Sequence, residues 1–135
     1  MSARRKARKR ALDFLYESDL RSASALELYE ARPSDELSQE AYVGALLQGV
    51  AEHREKIDEL IMTYAQGWDM DRMPAIDRNL LRLSIFEILW GSDIDEKVAV
   101  NEAVEMAGEL STAESATYIN GVLGRIIALK SSILS

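Results

Sequence analysis

Residues 74–90 read PAIDRNLLRLSIFEILW, and this stretch decides the fold. Ile76, Leu80, Leu81, Leu83, Ile85, Phe86, Ile88 and Leu89 recur at intervals of three and four, the period of a helix and not of a strand. Wound as a helix, the stretch is apolar around most of its circumference, so it needs neighbours on more than one side and is the expected buried centre of the protein. Pro74 suits a first-turn position, where its missing N–H interrupts no helical hydrogen bond.

Working outward, the polar DMDR at 69–72 after Gly67 separates this helix from an earlier pair. That pair carries Tyr42, Leu46, Leu47 and Val50, then Ile57, Leu60, Ile61 and Tyr64, and its two helices meet near Glu52 to Arg54. Ser24 and Glu27 have the spacing of a capping box and open a short helix that Arg32-Pro33-Ser34-Asp35 ends. The first helix, from about residue 4 to 20, lines up Ala7, Ala11, Phe14, Leu15 and Ser18 on one face and Arg5, Lys9 and Tyr16 on another. On the other side, Gly91-Ser92-Asp93 stops the central helix. A helix from about 95 to 107 then turns Val100, Ala103, Val104 and Ala107 inward and sets out Glu102, Glu105 and Glu109 as a solvated acidic face. Ser111 and Glu114 give a second capping-box match before a final helix with Ile119, Val122, Leu123, Ile126 and Leu129 as its core. No stretch alternates cleanly with period two, so the expected fold is all-α, with about seven helices in a single domain spanning 1–135.

The charge is unevenly placed. The 135 residues carry a net charge of −7, yet Arg4, Arg5, Lys6, Arg8, Lys9 and Arg10 put six cations into the first ten positions with no acid among them. The remaining 10 basic residues face 23 acids, so residues 11–135 carry −13. Clustered Lys and Arg release condensed counterions from a phosphate backbone, which makes the basic end a candidate polyanion-binding element; a solvated tail is the bland alternative. A helix that begins with cations opposes its own macrodipole, and a negatively charged partner relieves that cost.

Other chemistries find little support. The absence of cysteine excludes disulfides, thiolate zinc sites and a cysteine nucleophile, and fits a cytoplasmic protein. The basic start lacks the apolar run of about seven residues that a signal peptide needs, and no membrane association is expected. His53, the only histidine, sits in the charged run EHREK and reads as a helix-surface residue. Asp69 and Asp71 lack the companion ligands of a calcium loop and read as helix caps. Gly121 and Gly124 form no phosphate-binding fingerprint and read as a site of close helix packing. No catalytic residues, metal or cofactor are expected, and the protein is not expected to be an enzyme.

Three segments in order, RRKARKRALDFLY at 4–16, IDRNLLRLSIFEI at 76–88, and KVAVNEAVEMA at 97–107 followed by SATYINGVLGRI at 115–126, resemble the NusB family of transcription antitermination factors. The resemblance covers nearly the whole chain and implies two small helical bundles packed together. It also implies binding to boxA of ribosomal RNA leader transcripts jointly with a small-subunit ribosomal protein, NusE, and help in loading an antitermination complex onto RNA polymerase. Carried over by position, Arg4, Arg5, Lys6 and Arg8 would contact RNA and Tyr118 would offer a ring to a base, while Tyr16, Asp71 and Asp77 match positions associated with the protein partner and the adjacent RNA edge. Some members of the family are dimers, so a homodimer is also among the implied assemblies, with Trp68 and Trp90 as candidate contacts. A helical module that docks on an acidic protein without binding RNA is the competing reading. Single-stranded RNA exposes both phosphates and π-faces, so a basic helix beside an aromatic suits it.

Overall fold

Eight α-helices follow one another among the described residues: α1 (Ala3–Arg21), α2 (Ala25–Glu30), α3 (Leu37–Glu52), α4 (Arg54–Tyr64), α5 (Ala75–Trp90), α6 (Glu96–Leu110), α7 (Ala113–Ala128) and α8 (Lys130–Leu134), with one 3-10 turn at Met70–Arg72. The computed structural model describes residues 2–31, 37–91 and 94–135, and side chains within them except at 37–40. The terminating segment Arg32-Pro33-Ser34-Asp35 and the pair Ser92-Asp93 lie outside the described residues.

Two hydrophobic clusters share α5. The first joins Ala7, Ala11, Phe14 and Leu15 of α1 to Val43, Leu46, Leu47 and Val50 of α3, closed by Leu83 of α5 and flanked by Leu26 and Tyr29 of α2. The second gathers α4, α6 and α7 around Leu80, Leu81, Ile85, Ile88 and Leu89. Leu83 thus points to one bundle, Phe86 packs against both, and most other apolar side chains of α5 point to the second, which is why this helix is apolar nearly all round. The result is the pair of small packed helical bundles. Gly49 allows α3 to approach α5 closely, since a Cβ there would overlap the Phe86 ring.

Three local expectations are corrected. The final long helix is capped by Thr112, whose side chain accepts from the Ser115 N–H at 2.9 Å, and not by Ser111, which ends α6. Leu129, expected in the core, is 41% exposed because it stands at the junction where α7 stops and the short α8 begins. Gly121 and Gly124 face outward with no helix packed closely against them, so the absent Cβ serves no close approach.

Candidate nucleic-acid interface

The basic end is helical from its start. Ser2 accepts a hydrogen bond from the Arg5 N–H at 3.0 Å and caps α1, whose first turn contains no acid. The register that turns Ala7, Ala11, Leu12 and Leu15 inward also turns Arg8 inward, four residues before Leu12. Arg8 is only 3% exposed, and its Nε donates to both carboxylate oxygens of Glu87, at 2.9 and 3.0 Å. Burial works against the Arg8 charge, but the hydrogen bond and the charge of Glu87 outweigh it and leave its pKa raised. Arg8, expected to contact RNA, is thus a buried partner of α5, because a guanidinium on the core-facing side of a helix must find a carboxylate.

Tyr42 of α3 donates its hydroxyl to the same Glu87 carboxylate, and burial followed by this hydrogen bond pushes its pKa up to about 12. The Arg4 guanidinium lies over the Tyr42 ring, 4.2 Å from its centroid. Arg4, Tyr42, Glu87 and Arg8 thus form a continuous stack from the surface inward. Lys6 is exposed, Lys9 pairs with Asp13 at 2.8 Å, and Arg10 lies 5.5 Å from the Phe14 ring centroid. Arg5 is turned against α6, where Glu102 and Glu105 accept its hydrogen bonds and Glu109 stands 3.7 Å away. The Glu102 hydrogen bond leads the effects that raise the Arg5 pKa. The acidic face of α6, expected to be merely solvated, is an ion-pairing face for α1.

Tyr118 has different neighbours. Its hydroxyl donates to the Gln66 carbonyl at 2.9 Å, and its ring meets Trp68 edge to face with centroids 4.7 Å apart. Burial raises its pKa. Trp68 and Tyr118 line a groove of about 800 Å³ with Pro74, Thr112, Glu114 and Thr117. Gly67, at φ +81°, makes the turn that brings Trp68 to this groove. Both tryptophans are half-buried against the second cluster.

The partner-associated positions separate. Asp71 is exposed in the 3-10 turn and Tyr16 is half-buried on α1. Asp77, expected at the partner surface, is fully buried and accepts the Ser115 hydroxyl at 2.6 Å, so it ties α5 to the first turn of α7.

Two features escaped the sequence reading. Asp19 accepts from Arg78 and Asn79 at 2.9 Å and from Arg82 at 3.0 Å, which clamps the end of α1 to α5. Burial opposes its charge, but the Asn79 hydrogen bond and the two arginines prevail and hold its pKa below the ordinary carboxylate value. The signal was present in polar Arg78, Asn79 and Arg82 interrupting an apolar helix. His53, expected on a helix surface, occupies the α3–α4 junction and stacks on Trp90 with centroids 3.9 Å apart. Among the described residues no group of three His, Asp or Glu side chains is placed to hold a metal ion, and no helix is long and apolar enough to cross a membrane.

Fold and surface together define a class: an all-helical, two-bundle protein whose first helix carries a basic end against an acidic body. Residues 5–128 match the model of the NusB family, and the chain belongs to that family. It is 47% identical to the transcription antitermination protein NusB of Beutenbergia cavernae, over 96% of this chain and 92% of that one. It is 48% identical to the protein of the same name from Salinispora arenicola, over 93% and 96% of the two chains. Among solved structures, T. maritima NusB superimposes with a TM-score of 0.86 at 29% identity, covering 93% of this chain and 90% of that one. A chain from the crystal structure of antitermination factors NusB and NusE in complex with dsRNA gives 0.80 at 25% identity, covering 95% and 98%.

Proposed function

We propose that this protein is a transcription antitermination factor that binds boxA of ribosomal RNA leader transcripts together with a NusE-type small-subunit ribosomal protein, and so supports rRNA synthesis by RNA polymerase. Membership of the NusB family supports an RNA-binding antitermination role in general. The observation that carries the site is the basic start of α1, six cations on an ordered helix of an otherwise acidic protein. Arg4, Arg5 and Lys6 make the RNA surface. Arg8 serves it from beneath, because its pairing with Glu87 fixes the carboxylate that orients Tyr42 under Arg4. Tyr118 and Trp68 offer a second, aromatic surface for a base. Asp71 and Tyr16 are contacts for the protein partner, and Asp77 holds the first turn of α7 to α5 through Ser115. The basic partner offsets the repulsion that the acidic body exerts on RNA within a Debye length of roughly 8 Å.

The deciding experiment titrates a boxA-like strand and a scrambled strand, with and without the small-subunit ribosomal protein, at two salt concentrations. Preference for the boxA-like strand, increased by the ribosomal protein, is the expected result. Equal affinity for both strands under all conditions overturns the sequence-specific role, and negligible affinity throughout favours a helical protein-interaction module. If Arg4 and Lys6 each neutralise one phosphate, together they contribute about −1.4 to the slope of log K against log salt, and each of Arg4→Ala and Lys6→Ala flattens it by about 0.7.

A further inference from the structure

Arg5 has more carboxylates than its charge requires. Glu102, Glu105 and Glu109 follow one edge of α6 and converge on its guanidinium, with Glu102 and Glu105 accepting hydrogen bonds and Glu109 at 3.7 Å. Glu102 also lies 3.8 Å from Nη1 of Arg8, which Glu87 already neutralises. The Arg5 side chain is 12% exposed, whereas those of Glu105 and Glu109 are 63% and 61% exposed. One carboxylate would neutralise the guanidinium, and exposed ion pairs contribute little to stability. Holding α1 against α6 therefore does not account for the second and third glutamates. What the row does accomplish is to surround one cation of the basic end with acceptor oxygens, the arrangement a phosphate backbone would otherwise offer it.

We propose that Glu102, Glu105 and Glu109 act as an internal competitor of the nucleic-acid backbone, occupying Arg5 so that a polyanion reaches it only by displacing carboxylates of the protein itself. The proposal rests on the RNA reading of this same end. An exchange of carboxylate for phosphate at Arg5 releases no condensed counterion beyond those the strand gives up elsewhere, and the displaced glutamates then face the strand within a Debye length. Charge alone is thereby made a poor basis for binding. A ligand that also contacts an aromatic surface or the protein partner overcomes the opposition, and a bare polyanion does not.

The test compares the full-length protein with E105Q/E109Q and E102Q/E105Q/E109Q, because glutamine keeps the acceptor oxygen and removes the charge. Probes are a scrambled single-stranded RNA, a boxA-like strand and heparin, each titrated over a range of salt concentrations. Both variants are expected to bind the scrambled strand and heparin more tightly, about three- to tenfold for the triple variant. The RNA slope of log K against log salt is expected to steepen by about 0.7, and adding R5A to the triple variant should return it to the wild-type value. Unchanged affinity and slope in variants of unaltered melting temperature overturn the proposal, as does a gain that survives R5A in full. The double variant retains Glu102 and its contact with α1, so the comparison stands if the triple variant fails to fold. A wild-type protein with no RNA affinity whose variants gain heparin binding would remove the RNA function and leave the competitor in place. BoxA preference in the wild type with no response in any variant would do the reverse.

Discussion

Glu87 is the carboxylate on which three helices converge, since it belongs to α5 and receives Arg8 from α1 and Tyr42 from α3. Removing one partner of a buried ion pair leaves an uncompensated charge, so Arg8→Ala is expected to cost about 3–5 kcal/mol, read as a lowered urea midpoint. Arg8→Met combined with Glu87→Leu should recover most of that loss, because a well-packed apolar pair removes both desolvation penalties at once. A double variant as unstable as the single one would show that the hydrogen-bond geometry, and not the stranded charge, matters. Tyr42 adds a pH dependence of definite sign. Its folded pKa of about 12 lies above the ordinary tyrosine value of about 10. Its contribution is therefore complete below pH 10 and declines from there to about 12, as the unfolded chain sheds the proton that the folded one keeps. Denaturant stability measured at pH 9 and pH 11 should fall less steeply for Tyr42→Phe than for the wild type; parallel losses would contradict the assignment.

At the scale of elements, the periodicity of residues 74–90 was enough to identify α5 as the centre, because a helix apolar on most sides has few other places to go. The start of α7 was less legible. Ser111 and Thr112 are adjacent and both are good caps, and the S-x-x-E spacing favoured the first. The decision fell to α6, which runs through Leu110 and uses the Ser111 N–H to satisfy the Ala107 carbonyl, leaving the extended backbone of Thr112 as the true N-cap. Thr112→Ala should accordingly lower stability by about 1 kcal/mol, whereas Ser111→Ala should stay within about 0.5. Thermal melts of the two variants in parallel check this, and a larger loss at Ser111 would reverse the assignment. The short α8 is not legible in the sequence, because nothing in the weakly periodic stretch Lys130–Leu134 distinguishes one more helical turn from coil.

For the whole molecule, the two clusters share α5: Leu83 on one side is inseparable from Leu80 and Ile85 on the other, and Phe86 packs against both. Unfolding is therefore expected to be one cooperative transition. Far-UV circular dichroism reports all helices, while fluorescence reports Trp68 and Trp90 against the second cluster. The two urea curves should coincide, and separated midpoints would show that the bundles melt independently.

Composition and periodicity by themselves determined the all-helical class, the central helix, the inward face of α1 and the placement of six cations at its start. Each of these follows from spacings within a few residues, where helix geometry ties sequence to position in space. Which cations face solvent was decided only by tertiary structure. Arg8 is claimed by a glutamate 79 positions away and Arg5 by one 97 positions away. An ion pair depends on distance through space, and the register between helices so far apart in the chain is set by packing, of α1 directly on α5 for Arg8 and of α1 and α6 around α5 for Arg5, which no local spacing encodes.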